Sequence, residues 1–448
     1  MQRITCLILI ICLSIASGTA LADKKAKKQH HSTYDEVESG LNADAMAELR
    51  AAGVDKYLGT SQSKGSDYGV WTKHDFSSEN DGPICIAGTD YSVFTRKGNP
   101  KKLLIFLQGG GACWQGFYAC NILAVDPDPR LGQEPSENGP FPGVFDQTST
   151  ENPFADYSVV YMPYCDGSTF GGDNDVNDEE WQAFVEGQLG LLPGYGPPTR
   201  HHRGLRNLSA GMDVAKEMFP RAKQITVMGH SAGGVGAAAF APFLTRFVFG
   251  NNTKLTVYND AGPIAVNLGA GSPPFACQDF SCFSVVARAL DWQFQQFYPE
   301  SCIDDGLCNP FGQQTGIIHW RLDNDSTIRE GFYETDSDRT NRFFAQGDGT
   351  RMDPQKYRKL ILAEHDALNK AHPRRYKRFI VSGDDTHGAV QATAGTPNIP
   401  PNFFSFYTQQ ANGTPLSKWA TEFVRIGQRQ SKLGWKDIVE DYVPVDKP

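Results

Sequence analysis

The chain has 448 residues, 40% of them hydrophobic and 11% aromatic, and a formal net charge of −9. That is enough apolar material for a large core, and it excludes a disordered, collagen-like or coiled-coil chain. The acidic balance, with no basic domain, argues against a nucleic-acid partner.

Met1-Gln2-Arg3 gives a short positive start, Ile4 to Ala16 is mostly apolar, and Ala20-Leu21-Ala22 fits a small-x-small cleavage site. This reads as a secretory signal peptide over 1–22, cleaved after Ala22. The apolar run is shorter than the roughly 20 residues a span requires, so no stable membrane insertion is expected. The product would be secreted or periplasmic, with a mature charge of −10 once Arg3 is lost. Export makes disulfides the expected state of the eight remaining cysteines, 85, 113, 120, 165, 277, 282, 302 and 308. Their pairing does not follow from the sequence.

Residues 23–83 read as an N-terminal extension: a Lys/His-rich tail, a helix over 41–52 and a loop over 59–83. The remainder, 84–448, reads as one large domain. Short apolar runs recur along it, at Leu103–Leu107, Ser158–Met162, Gln224–Met228, Lys254–Tyr258, Ile317–Leu322 and Arg378–Val381. Continuous runs suit strands covered on both faces. Helical patterns lie between them, including 232–249 and 355–371, the latter with Asp353 as cap and Pro354 in first position. The alternation predicts an α/β fold with a mostly parallel sheet and helices on both faces. A Pro/Gly-rich excursion over 126–143 could wall a pocket at the sheet's C-terminal edge, where such folds bind ligands.

The sharpest motif is Gly229-His230-Ser231-Ala232-Gly233, directly after the strand at 224–228. Strand, tight turn and helix with G-x-S-x-G at the turn form a nucleophile elbow, which presents Ser231 Oγ above the sheet. Gln108-Gly109-Gly110-Gly111-Ala112-Cys113 follows the first strand and matches a glycine-rich oxyanion loop. The expected donors are the amides of Gly110, Gly111 and Ala232. A phosphate loop is the rival reading, but no Lys-Ser/Thr follows the glycines.

In an α/β-hydrolase the triad runs Ser, acid, His along the chain. His387, on the loop after the strand 378–381, fits the base. His365 and His372 read as surface residues on or beside a helix, and His319 as a core residue of a strand. For the acid, Asp260 and Asp323 each follow a predicted strand and position alone does not separate them. Asp384 and Asp385 lie too close to His387 to be favoured.

These pieces, with Asn152-Pro153-Phe154, Tyr161-Met162-Pro163-Tyr164-Cys165-Asp166-Gly167, Asp260-Ala261-Gly262 and Asp385-Thr386-His387-Gly388, resemble the pectin acetylesterase/Notum-like family of secreted serine carboxylesterases. The resemblance covers about 85–395. It implies an α/β-hydrolase-like single large domain and a Ser-Asp-His triad, and it favours Asp323, because the family's acid follows a Trp-containing strand and Trp320 precedes Asp323. Gln108 and Ala112 depart from the Glu and Trp that the family often carries in the oxyanion loop.

The activity so implied is hydrolysis of acetyl-type carboxylic esters through an acyl-enzyme, with pectin deacetylation as one form. No metal or organic cofactor is needed, and the partner is an ester substrate, glycan or small acyl, met by a monomer. Lipid-acyl or polyester hydrolysis, a serine peptidase and a catalytically silent binding module are the competing readings.

Overall fold

The computed structural model describes residues 40–77, 81–123, 143–263, 287–309, 315–384, 388, 406–425 and 434–445. The expected signal peptide, most of the Pro/Gly-rich excursion, Cys277, Cys282 and His387 lie outside them. Residues 38–448 form one compact unit.

The strands, in chain order, are β1 Ser63–Tyr68, β2 Trp71–Phe76, β3 Ser92–Arg96, β4 Asn99–Leu107, β5 Gly111–Trp114, β6 Phe117–Cys120, β7 Tyr157–Met162, β8 Asn174–Asn177, β9 Thr199–His202, β10 Gln224–His230, β11 Lys254–Asp260, β12 Arg329–Thr335, β13 Tyr376–Val381, β14 Gln410–Ala411, β15 Thr414–Pro415 and β16 Ile438–Val439. The helices are α1 Ala43–Ala51, α2 Glu179–Leu189, α3 Gly204–Met218, α4 Ala232–Ala238, α5 Ala241–Phe249, α6 Glu300–Asp304, α7 Gly316–Asn324, α8 Arg339–Gln346, α9 Pro354–Ala371 and α10 Leu416–Val424.

Ten strands make one sheet in the order β1-β2-β3-β7-β4-β10-β11-β12-β13-β16. From β7 to β16 every neighbouring pair is parallel, whereas β1, β2 and β3 join antiparallel at one edge. The α/β expectation holds, with a mostly parallel sheet. Successive residues of a strand point to opposite faces. Leu103, Ile105 and Leu107 accordingly enter one core with α3, α5 and α7. Leu104 and Phe106 enter a second core, under α10 and its Trp419 and Phe423. The sheet is thus covered on both faces.

Four expectations need correction. Residues 59–83, read as loop, contain the β1–β2 hairpin, and this hairpin extends the main sheet, so 40–83 is no separate extension. The run 317–322 is not a strand but lies within α7. The strand that pairs with β11 is β12, whose Arg329, Glu330, Glu334 and Thr335 hide it from an apolar-run search. Glu330 can be buried because it is paired: the Arg321 guanidinium grips its carboxylate at 2.7 Å. The helix read over 232–249 is two helices, α4 and α5, bent by 50°. Pro242 has no N–H to return to the Ala238 carbonyl, and Arg321 Nη2 donates to that oxygen instead, at 2.7 Å. Finally, His365 and His372 are buried rather than on the surface; His365 stacks on Phe332 at 3.8 Å.

The helix over 354–371 forms as expected, with the Asp353 side chain accepting from Gln355 and Lys356 backbone N–H groups. Among the described residues no single helix is long and apolar enough to cross a membrane.

Candidate active site

Ser231 sits where β10 meets α4, at φ 52° and ψ −123°. A non-glycine residue held there stores backbone strain, which the surrounding structure must over-determine. It does so. The Ser231 N–H donates to Asp260 O at 2.8 Å, and Ser231 O accepts from Val235 N as the first turn of α4. The flanking glycines are required by close approach. A Cβ on Gly229 would stand 2.2 Å from Gly233 O, and one on Gly233 would stand 2.1 Å from Leu107 O. The strand end, the turn and the helix start are packed backbone against backbone, so Ser231 points away from the sheet.

The loop after β4 lies alongside. Gly109 N donates to His230 Nε2 at 3.2 Å, which makes that nitrogen the unprotonated one. Gly111, at φ 77°, opens β5, and a Cβ there would stand 1.9 Å from Ala119 O. The bond from Asn121 N to Gly110 O makes Gly111 and Cys120 a non-hydrogen-bonded pair of the β5–β6 hairpin. The Gly111 N–H therefore faces away from β6. Gly111 and Ala232 both line the pocket that contains Ser231, whereas Gly110 is one residue back from it. The Cys113–Cys120 disulfide closes this hairpin.

The Pro163–Gly167 segment braces the same loop. Tyr164 N donates to Gln108 Oε1 at 3.0 Å, and Cys165 is bonded to Cys85. The Asp166 carboxylate is buried in the turn, where it accepts from Ser168 N, Ser168 Oγ and Phe170 N. Burial raises its pKa to about 6. The turn holds Thr169 and Phe170 at positive φ and sets Thr169 in the pocket wall.

Asp323 is not part of this site. It lies in the last turn of α7 with its side chain 60% exposed, 3.7 Å from His372 Nε2. The helix leads into the start of β12, and the next turn is tied by Asp325 to Arg246, at the entry to β11. Asp323 therefore occupies the N-terminal edge of the sheet, about 20 Å (a strand's length) from the edge that carries Ser231. His319, Asp323 and His372 place their ligand atoms within 4.8 Å of one another, as a metal would require, but far from the serine.

Two other carboxylates do lie at the Ser231 edge. Asp260 ends β11, fully buried, and its Oδ1 accepts the Gly388 N–H at 2.7 Å. Asp338 follows β12 and caps α8: its carboxylate accepts from Thr340 N and Asn341 N at 2.8 Å, and from Asn341 Nδ2 at 3.1 Å. Burial, followed by the neighbouring Asp338 charge, pushes Glu334 well above the usual carboxylate range. Asn341 also donates to Ala261 O, beside Asp260, and it lines the pocket. The segment leading to His387 is fastened here, since Ser337 N donates to Gly383 O and Arg339 N to Asp384 O. Asp338 escaped the sequence reading because its strand did. The Asp-x-x-Asn pattern at a helix start was the signal available.

The pocket is an open cleft of about 600 Å³, solvent at its mouth included, with Trp114, Trp292, Phe344 and Arg288 in its wall. Ala112 lines it where a larger side chain would narrow it. A second, apolar pocket of about 380 Å³ adjoins it through Thr169, Val235 and Trp292, and is walled by Phe240, Phe294 and Tyr298. Residues 74–266, which include the glycine-rich loop at 108–113, the Pro163–Gly167 segment and the G-x-S-x-G turn, match the family described as Pectinacetylesterase.

Proposed function

We propose, on the match of residues 74–266 to the Pectinacetylesterase family of carboxylic ester hydrolases, that the chain is a secreted serine acetylesterase that removes acetyl groups from acidic polysaccharide through an acyl-enzyme. The observation that carries the reading is the pairing of a strained Ser231 with outward amides at Gly111 and Ala232 around one pocket.

His387 takes the proton from Ser231 Oγ as it attacks the ester carbonyl. The amides of Gly111 and Ala232, with Gly110 beside them, hold the oxyanion. A single such donor contributes on the order of 10²–10³ in turnover. Asp338 is the acid that orients His387 and stabilises its imidazolium. A triad acid must remain ionised, and a carboxylate that accepts three N–H groups is favoured in its charged form. Asp260 serves the same base less directly, by anchoring Gly388. The alcohol leaves with the proton carried by His387, and water then releases acetate by the same steps in reverse.

The test is acetate release from acetylated pectin and from p-nitrophenyl acetate, each with Ser231→Ala. Loss of both activities in the variant is expected; retained activity would remove Ser231 from the mechanism. A second reading, hydrolysis of longer acyl esters, is favoured by the apolar pocket beside Trp292. It would replace the first if turnover rose with acyl length and no acetate left pectin.

A further inference from the structure

At the sheet edge opposite Ser231, His319, Asp323 and His372 each bring one ligand atom to within 4.8 Å of the others. His319 and Asp323 stand four residues apart on α7, so both project from one face of that helix. His372 caps the C-terminus of α9. Its backbone is held on both sides: the His372 N–H donates to Leu368 O at 2.9 Å, and its carbonyl accepts from Tyr376 N at 2.9 Å. The three groups are therefore carried by helices rather than by loops.

Their spacing is that of a coordination shell. His372 Nε2 lies 3.3 Å from His319 Nδ1 and 3.7 Å from Asp323 Oδ1. Ligand atoms bound at about 2.0–2.1 Å to a tetrahedral zinc ion stand about 3.3 Å apart. The two imidazole rings are inclined at 62°, so nitrogens converge rather than ring faces. The Asp323 side chain is 60% exposed and can turn to close the remaining edge at little cost. Two imidazoles and one carboxylate suit zinc, whereas calcium and magnesium take oxygen ligands. Three protein ligands leave the fourth position to water. Arg375 Nη2 lies 3.5 Å from His372 Nδ1, on the side where metal-binding imidazoles often meet a carboxylate. That cation weakens the site, so a chelator should empty it.

We propose that His319, Asp323 and His372 form a zinc-binding site that clips α7 to α9 at the N-terminal edge of the sheet. The site lies about 20 Å from Ser231, a strand's length. Zinc there acts on stability and leaves ester turnover alone. It stands whether or not Ser231 acts on acetyl esters.

The test is calorimetric titration of zinc into the chelator-treated, tag-free chain, together with thermal melts with and without zinc. One zinc per chain and a raised melting temperature are expected, and calcium should produce neither. His319→Gln and Asp323→Asn should each weaken zinc binding by at least about tenfold and remove most of the rise. Both variants should keep the wild-type melting temperature without metal, which shows that they fold, and wild-type turnover of p-nitrophenyl acetate. Cobalt in place of zinc should give the intense visible absorption of a four-coordinate ion in the wild type and lose it in either variant. Failure to take up zinc stoichiometrically would overturn the proposal and leave the two histidines a hydrogen-bonded pair. Uptake unchanged in both variants would also overturn it, by placing the ion on other groups, and so would calcium binding as tight as zinc binding.

Discussion

Asp260 accepts the Gly388 backbone N–H on its carboxylate at 2.7 Å, and so ties the residue after His387 to the strand next to the nucleophile's own. The same Asp260 accepts the Ser231 N–H on its carbonyl oxygen. One residue therefore fastens both Ser231, the proposed nucleophile, and Gly388, which follows the proposed base in sequence.

This arrangement ranks three carboxylates. Asp338→Asn is expected to lower kcat by about 10³–10⁴, the scale set by loss of a triad acid. Asp260→Asn should cost less, because an amide oxygen can still accept from Gly388. Asp323→Asn should leave turnover unchanged. Steady-state kinetics on p-nitrophenyl acetate decide it, and a larger loss in Asp260→Asn than in Asp338→Asn would hand the acid's role to Asp260.

Two glycine substitutions should act with opposite sign. Gly233→Ala drives a Cβ to 2.1 Å from the Leu107 carbonyl oxygen at the elbow. Such overpacking costs about 1–3 kcal/mol or more and should displace Ser231. Gly187 lies inside α2, with nothing within 4 Å of where its Cβ would be. Gly187→Ala should stabilise by about 0.5–1 kcal/mol through helix propensity. Thermal melts of the two variants should move in opposite directions; a shared direction would mean that the backbone at one of them relaxes.

The disulfides should separate stability from activity. Cys85–Cys165 closes 80 residues and Cys113–Cys120 only 7. Chain-entropy scaling assigns them about 4.5 and about 2.4 kcal/mol. Replacing the first pair by alanine should lower the melting temperature more. Replacing the second should have the larger effect on turnover, since it loosens the hairpin that begins at Gly111. Equal losses of activity in the two variants would count against a hairpin that serves the oxyanion.

Acid should weaken the fold through buried histidines. Burial holds His202 and His365 down at about 3, against 6.5 for a free imidazole. The unfolded chain binds these protons near pH 6.5 and the folded chain does not, so their contribution is whole above pH 6.5 and is lost as pH falls from there toward 3. Asp166, raised to about 6, acts oppositely: its contribution is whole below about pH 4 and is lost as pH rises through 6. His365→Phe should therefore lose less melting temperature than wild type between about pH 7 and about pH 4.5. Parallel losses would mean that His365 does not contribute to the acid sensitivity.

What could be read from the sequence was what backbone geometry dictates locally. The elbow and the glycine loop were legible because no other residues tolerate oxygen atoms within about 2 Å of a would-be Cβ. The α9 cap was legible because Asp353 and Pro354 act within one turn. Strand β12 was not, because its burial depends on partners distant in sequence: Arg321 neutralises Glu330, while Tyr357 and Asn341 both donate to Glu334. The search for an apolar run settled on Ile317–Leu322 instead, which is the buried face of α7. That exchange of helix for strand made Asp323 an equal of Asp260 by position, and the family resemblance then favoured it, although it lies at the opposite edge of the sheet from Ser231.

The two margins of the main sheet differ from its middle. β1 is Ser-Lys-Gly-Ser-Asp-Tyr and largely exposed, and β16 at the far side is only two residues long. An outer strand is a template on which a second chain can assemble, and charge or brevity removes that opportunity. Here one margin is hydrophilic and the other too short to extend. Neither margin of the broad parallel sheet that carries Ser231 therefore offers a long, flat apolar edge for a second chain to extend.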